Sequence, residues 1–137
     1  MSADSSWDVQ TGVYTLLTGT TGVTDLLADG ANSILDHVPP GTMPPYIVAS
    51  EIRVRPLDTQ GASGNEMVLT LHTYSRNSGM QEVRGIMAAV HDALHNASFS
   101  IPGQTLVLCQ CIDSEARLEG DGLTRHGIQH FQIITEE

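Results

Sequence analysis

Residues 66–96 read EMVLTLHTYSRNSGMQEVRGIMAAVHDALHN, and a change of period inside this stretch decides the fold. From Glu66 to Tyr74 side chains alternate, with Met67, Leu69 and Leu71 on one face and Val68, Thr70, His72 and Tyr74 on the other. A period of two is that of an extended strand. Its second face is mixed rather than purely polar, which predicts a strand partly covered on both sides, as at a contact between subunits. Ser78 then opens a helix: its hydroxyl is placed to cap, and Gln81 three residues on completes a capping-box pattern. Val83, Ile86, Met87, Val90 and Leu94 follow at helical spacing. They predict a helix to about residue 96 that lays one apolar stripe on a sheet.

Upstream, a helix is expected from near Trp7, capped by Ser5 or Ser6, with Asp8 in its first turn and Val13, Tyr14, Leu16 and Leu17 facing inward. A shorter helical piece is expected over 23–28 and an extended piece over 33–38. Four prolines within residues 39–45 (PPGTMPP) exclude helix and central strand there and make a stiff connector. Residues 46–54 are rich in β-branched side chains and read as a strand, and residues 57–65 (LDTQGASGN) as an exposed hairpin tip. After the helix, strands are expected over 105–113 and 124–135, separated by an acidic, glycine-bearing tip over 115–122. The elements assemble into an α+β fold with a mostly antiparallel sheet of about four strands and two main helices packed on one face. No linker or internal repeat interrupts residues 1–137, which reads as a single domain.

Composition narrows the function. At 137 residues, 40% hydrophobic and 16% charged, the chain can bury a substantial core. It carries 16 carboxylates against 6 basic residues, all of them arginine, for a formal net charge of −10. That sign repels phosphate, and aromatic residues at 4% are too few for a base-stacking groove, so specific nucleic-acid binding is excluded. The first residues lack a basic start and an apolar core, so no secretory signal is read and a cytosolic chain is expected. The longest apolar run, IMAAV at 86–90, is too short for a membrane span. The sequon Asn96-Ala97-Ser98 is then accidental. Cys109 and Cys111, two apart on one strand, share a face and read as reduced thiols rather than a disulfide or a metal site.

The segment HDALH at 91–95 brushes against H-E-x-x-H, in which two histidines one helical turn apart hold zinc and the glutamate is general base. At about 100° per residue from Val83, His91 falls near 80°, His95 near 120° and Asp92 near 180°. The imidazoles therefore lie on the flank of the helix and the carboxylate faces away from the sheet. A third ligand would have to come from His72, His126, His130 or the acidic tip, and Asp92 is one methylene shorter than the required base. A metal-dependent hydrolase using His91 and His95 is the weaker reading. No nucleophile elbow, phosphate loop or dinucleotide fingerprint occurs, and no cofactor is expected.

Three segments, ILDHVPPGTMPPYIVASEI (34–52), LTLHTYSRNSGMQEVRGIMAAVHDALHNASFSIPGQTLV (69–107) and GDGLTRHGIQHFQIITEE (120–137), stand in the order seen in the phage tail-completion family, which the chain resembles over residues 13–135. That family includes tail terminators of long-tailed phages and of gene transfer agents. The resemblance implies a structural protein in the tail of a virion or phage-like particle, assembled in the bacterial cytoplasm. It implies a homo-oligomeric ring, hexameric, that caps the head-proximal end of the tail tube, stops its polymerisation and meets a head-side connector. Its partners would be the tail tube protein, the connector or stopper protein and further copies of itself, with DNA passing through unbound and no membrane involved. A head-side connector or stopper is the alternative within the same class. Loop tips and strand ends bearing Arg53, Arg55, Asp58, Arg76, Glu119, Asp121 and Arg125 supply charges that a head-to-tail contact between copies can use. An acidic chain also suits a lumen through which DNA must slide.

Overall fold

The computed structural model describes residues 5–58, 61 and 63–137. Five strands form one sheet in the order β1-β2-β3-β5-β4. They are β1 (Ile34–Leu35), β2 (Tyr46–Pro56), β3 (Gly64–Ser75), β4 (Thr105–Leu118) and β5 (Arg125–Glu136). The four long strands pair antiparallel, whereas β1 pairs parallel to β2 through Ile34 and Leu35. The sheet is therefore mixed and has one strand more than the sequence suggests. Two residues carry no periodicity of their own; they are a strand only because β2 offers a ladder beside them. A 3-10 turn over Gly30–Ser33 shortens the extended piece expected over 33–38. Part of the expected tip over 57–65 lies outside the described residues, at 59, 60 and 62.

Helices α1 (Ser6–Thr18), α2 (Thr21–Thr24) and α3 (Gln81–Leu94) cover one face. The short α2 begins ahead of the predicted 23–28 and stops at Thr24. Met67, Leu69 and Leu71 of β3 and Phe131 and Ile133 of β5 form the floor of the core. The α3 stripe of Val83, Ile86, Met87, Val90 and Leu94 lies on that floor, and Val9, Val13 and Leu17 of α1 complete it. Each such side chain contributes about 1.5–3 kcal/mol of transfer free energy. Gly127 of β5 is where α3 comes closest: a Cβ there would lie 2.5 Å from Met87 Sδ and 3.2 Å from Val83 Cγ2.

The predicted capping box is absent. Helix α3 starts after Met80, and Ser78 makes no cap, because Gly79 adopts φ +76° and turns the chain before the helix begins. The first turn is tied instead by Glu82, whose carboxylate accepts from Ser75 Oγ at 2.6 Å and Asn77 Nδ2 at 3.4 Å. Ser5 occupies the cap position of α1, yet its hydroxyl is spent on Gln104 Oε1, 3.0 Å away. Glu137 N–H donates to Ser63 O at 2.9 Å. Both contacts lie at the hairpin end of the sheet, where β2 turns into β3; the β4–β5 tip lies at the other end.

Candidate assembly surface

The helices cover the odd-numbered residues of β3 and leave its even-numbered ones facing out. Along this open face Tyr74 pairs with His126, His72 with Ile128 and Thr70 with His130 across to β5. Separated by 54 positions in sequence, His72 and His126 meet with Nδ1 of the first 2.7 Å from Nε2 of the second. Glu51 of β2 closes one end of the chain, 2.6 Å from His72 Nε2, and Glu119 closes the other at His126 Nδ1. Arg117 stands 3.6 Å from Glu119, and Tyr74 stacks on His126 at 4.5 Å between centroids. Three hydrogen bonds in this chain need three protons, and two neutral imidazoles supply two, so complete bonding holds one imidazolium. Burial, helped by the neighbouring His72, outweighs the Glu119 hydrogen bond and lowers the His126 pKa. A smaller pair, His130 with Asp113, repeats the arrangement one row along.

The residues singled out by sequence separate into two groups. Arg53 and Arg55 stand on the open face of β2, close to Asp58 at the hairpin end. Arg55 is 2.5 Å from Glu66, whose other oxygen accepts from Gln132 Nε2 at 2.7 Å. At the opposite end, Arg76 lies 3.7 Å from Asp121 and donates to Thr124 Oγ1 at 3.2 Å. Arg125 donates to Leu123 O at 2.7 Å. Asp121 organises this tip, accepting from the Thr124 hydroxyl at 2.6 Å and from the Leu123 and Thr124 amides at 2.8 Å. These bonds bring its pKa down to about 2. Among the described residues Arg53, Arg84 and Arg125 form no ion pair.

The helix-flank histidines stand without a third candidate ligand among the described residues. His91 and His95 stack at 4.7 Å between centroids, and His95 Nδ1 accepts the Cys111 backbone N–H at 3.1 Å. Asp92 is exposed and pairs weakly with His91, at 3.6 Å. Among the described residues no group of three histidine, cysteine or carboxylate side chains is arranged to hold a metal. Both cysteines are free thiols; burial pushes Cys109 up to about 11 and also raises Cys111. An apolar groove of about 340 Å³ runs between α1 and the β1–β2 edge, lined by Trp7, Tyr14, Ile34, Leu35 and Ala49. No described helix is long and apolar enough to cross a membrane.

The model of one protein family, tail completion protein gp17, matches residues 11–136. The chain belongs to the tail completion protein gp17 family. Its place is thus in the tail of a virion, as a structural protein that assembles with other particle components, and not among enzymes. The same fold occurs in a chain from the virion of a native gene transfer agent particle, with a TM-score of 0.88 and 21% identity over 99% of this chain and 100% of that one. No curated protein matches. The family match extends the resemblance read over residues 13–135 by two residues at the start and one at the end. What sequence reading missed is the Glu51–His72–His126–Glu119 chain; the signal was present in the polar even-numbered positions of β3 and β5, but not their register.

Proposed function

We propose that this family member is a tail terminator: copies of one 137-residue domain close into a ring, hexameric, on the head-proximal end of the tail tube. The ring stops tube growth and offers its far side to the head-side connector. The observation that carries this reading, beyond family membership, is the division of the charged residues. Arg53, Arg55 and Asp58 sit near one end of the sheet, and Arg76, Glu119, Asp121 and Arg125 at the other. Two unlike ends on one chain give a ring two unlike rims, one to meet the tube and one to meet the connector. With helices on one face only, the bulkier helical layer takes the outer circumference and the open sheet face lines the channel. That face carries Glu51, Glu66, Asp113, Glu115 and Glu136 against Arg53, Arg55 and Arg117, a net negative wall past which DNA moves without being held.

Electron microscopy of particles assembled without this protein tests the reading. Tubes of uncontrolled length, or tubes of normal length not joined to heads, are expected. A stopper acting only on the head side would leave tube length normal and DNA-filled heads leaking; fully normal infectious particles refute both.

A further inference from the structure

The sheet ends in two bare edges. On β2, β1 pairs only with Ile47 and Val48, and Gln10 Nε2 takes the Ala49 carbonyl. From Ser50 to Pro56 no strand lies beside the outer edge among the described residues. On β4, Asn96 N–H bonds the Cys109 carbonyl and His95 takes the Cys111 amide. From Ile112 to Leu118 that edge is likewise uncovered. Long bare edges are templates for another strand unless something blocks them, and no proline or lysine interrupts 112–118.

We infer that β4 of one copy adds to β2 of the next, antiparallel, joining the sheets of neighbouring subunits into one continuous wall. The inference rests on the ring reading and names the contact that makes it. Three reversals separate β2 from β4 in the sheet, so a neighbour in the same orientation presents β4 antiparallel to β2. The charges then choose the register. On the open face β2 carries Glu51, Arg53 and Arg55, and β4 carries Asp113, Glu115 and Arg117. Setting Arg53 opposite Glu115 also sets Glu51 opposite Arg117 and Arg55 opposite Asp113, so every charge meets its opposite. Sliding two residues one way puts Arg53 against Arg117, and two the other way puts Glu51 against Glu115. Like charges directly opposite are unfavourable, and a slip of one residue turns the charged side chains to the wrong face.

The stagger agrees with ring closure. Glu115 is level with Val48 in its own subunit, through Ile128 and His72, whereas its partner Arg53 lies four ladder steps farther along, from His72 to Val68 on β3, because a bulge between Val48 and Glu51 absorbs one residue of β2. Four steps at about 3.3 Å are roughly 13 Å, over four strands spaced about 4.8 Å apart. The resulting strand tilt is about 35°, at the lower end of the roughly 35–45° of closed barrels. On the helix side the same register places Leu118, 52% exposed, opposite Ser50 at the mouth of the apolar groove.

Paired cysteines test this in assembled particles. Particles would be made with the full chain carrying Arg53→Cys, Glu115→Cys and Cys111→Ser. Non-reducing electrophoresis should then show a ladder of covalent oligomers that collapses with reductant. Arg53→Cys with Ser114→Cys, whose side chains fall on opposite faces, should stay monomeric. Arg53→Glu should lower particle titre at least tenfold, with recovery on adding Glu115→Arg. If microscopy shows the ring in place but no ladder forms, the strand pairing is wrong and the ring reading stands. If tails carry no ring of this protein at all, the ring reading fails and the pairing with it.

Discussion

Gly127 offers a sharp test of how α3 is seated. Its φ is not positive, so the residue is there for space rather than for backbone freedom. Replacement by alanine puts a methyl 2.5 Å from Met87 Sδ and 3.2 Å from Val83 Cγ2. Methionine can move its sulfur; valine, stiff at χ1 and held in a helix, cannot give in the same way. Overpacking of this kind costs about 1–3 kcal/mol, and replacing a strand glycine returns about 0.4–1 kcal/mol through the unfolded chain. The net loss expected for Gly127→Ala is about 1–2 kcal/mol, a fall in Tm of roughly 3–6 °C for a chain of this size. Met87→Ala alone should cost about 2–5 kcal/mol through the cavity it leaves. In the double variant the new methyl occupies part of that cavity, so the two losses should fall short of additivity by at least about 1 kcal/mol. Urea unfolding of the four proteins, with unchanged m-values, measures this. Additive losses, or a Gly127→Ala variant as stable as the parent, would show that α3 does not press on β5 at this point.

Ser75→Ala removes a buried hydroxyl from Glu82 and should cost about 1–2 kcal/mol in urea unfolding, whereas Ser78→Ala, which touches no cap, should cost little; equal losses would restore the capping box. His95→Ala strands the Cys111 amide and should lose about 1 kcal/mol, while His91→Ala is near neutral. Protein purified without a histidine tag should contain no stoichiometric zinc by mass spectrometry, and zinc lost from the His91→Ala, His95→Ala double variant would overturn the structural reading. The Asp121 carboxylate, with its pKa depressed from 3.8 to about 2, stays ionised in the fold where an unfolded aspartate would protonate. Its stabilising effect is full above about 3.8 and lost as pH falls through about 2. NMR of its side-chain carboxyl carbon should show no titration step between pH 7 and about 3.5; a midpoint near 3.8 would mean the Thr124 and Leu123 bonds are not formed in solution.

Local periodicity made much of this architecture readable. The α3 stripe, the two faces of β3 and the flank position of His91 and His95 all follow from side-chain spacing within a single element. The proline stretch ended one segment and Tyr46 began the next for reasons internal to the chain. Features that failed to show depend on neighbours distant in sequence. Ile34 and Leu35 are a strand only beside β2, and Ser78 loses its cap because Gly79 turns left-handed. His72 and His126 were each visible as polar residues on a half-covered strand, yet nothing local sets them in register, and Glu51 and Glu119 join them only once β2 and the β4–β5 tip are in place. The charges of the bare edges were equally plain in sequence, but the pairing proposed for Asp113, Glu115 and Arg117 can be framed only when β4 is known to be an edge.

The clasp of Ser5 on Gln104 and of Glu137 on Ser63 places both of these residues at the hairpin end, away from the β4–β5 tip. That geometry turns a fusion label into a compass. In the proposed ring, a compact fluorescent or gold-binding module carried beyond Glu137 would project from one rim and leave the other clear. Its extra density in images of intact particles would report directly which rim points toward the head, a polarity that the symmetry of an unlabelled ring conceals at low resolution.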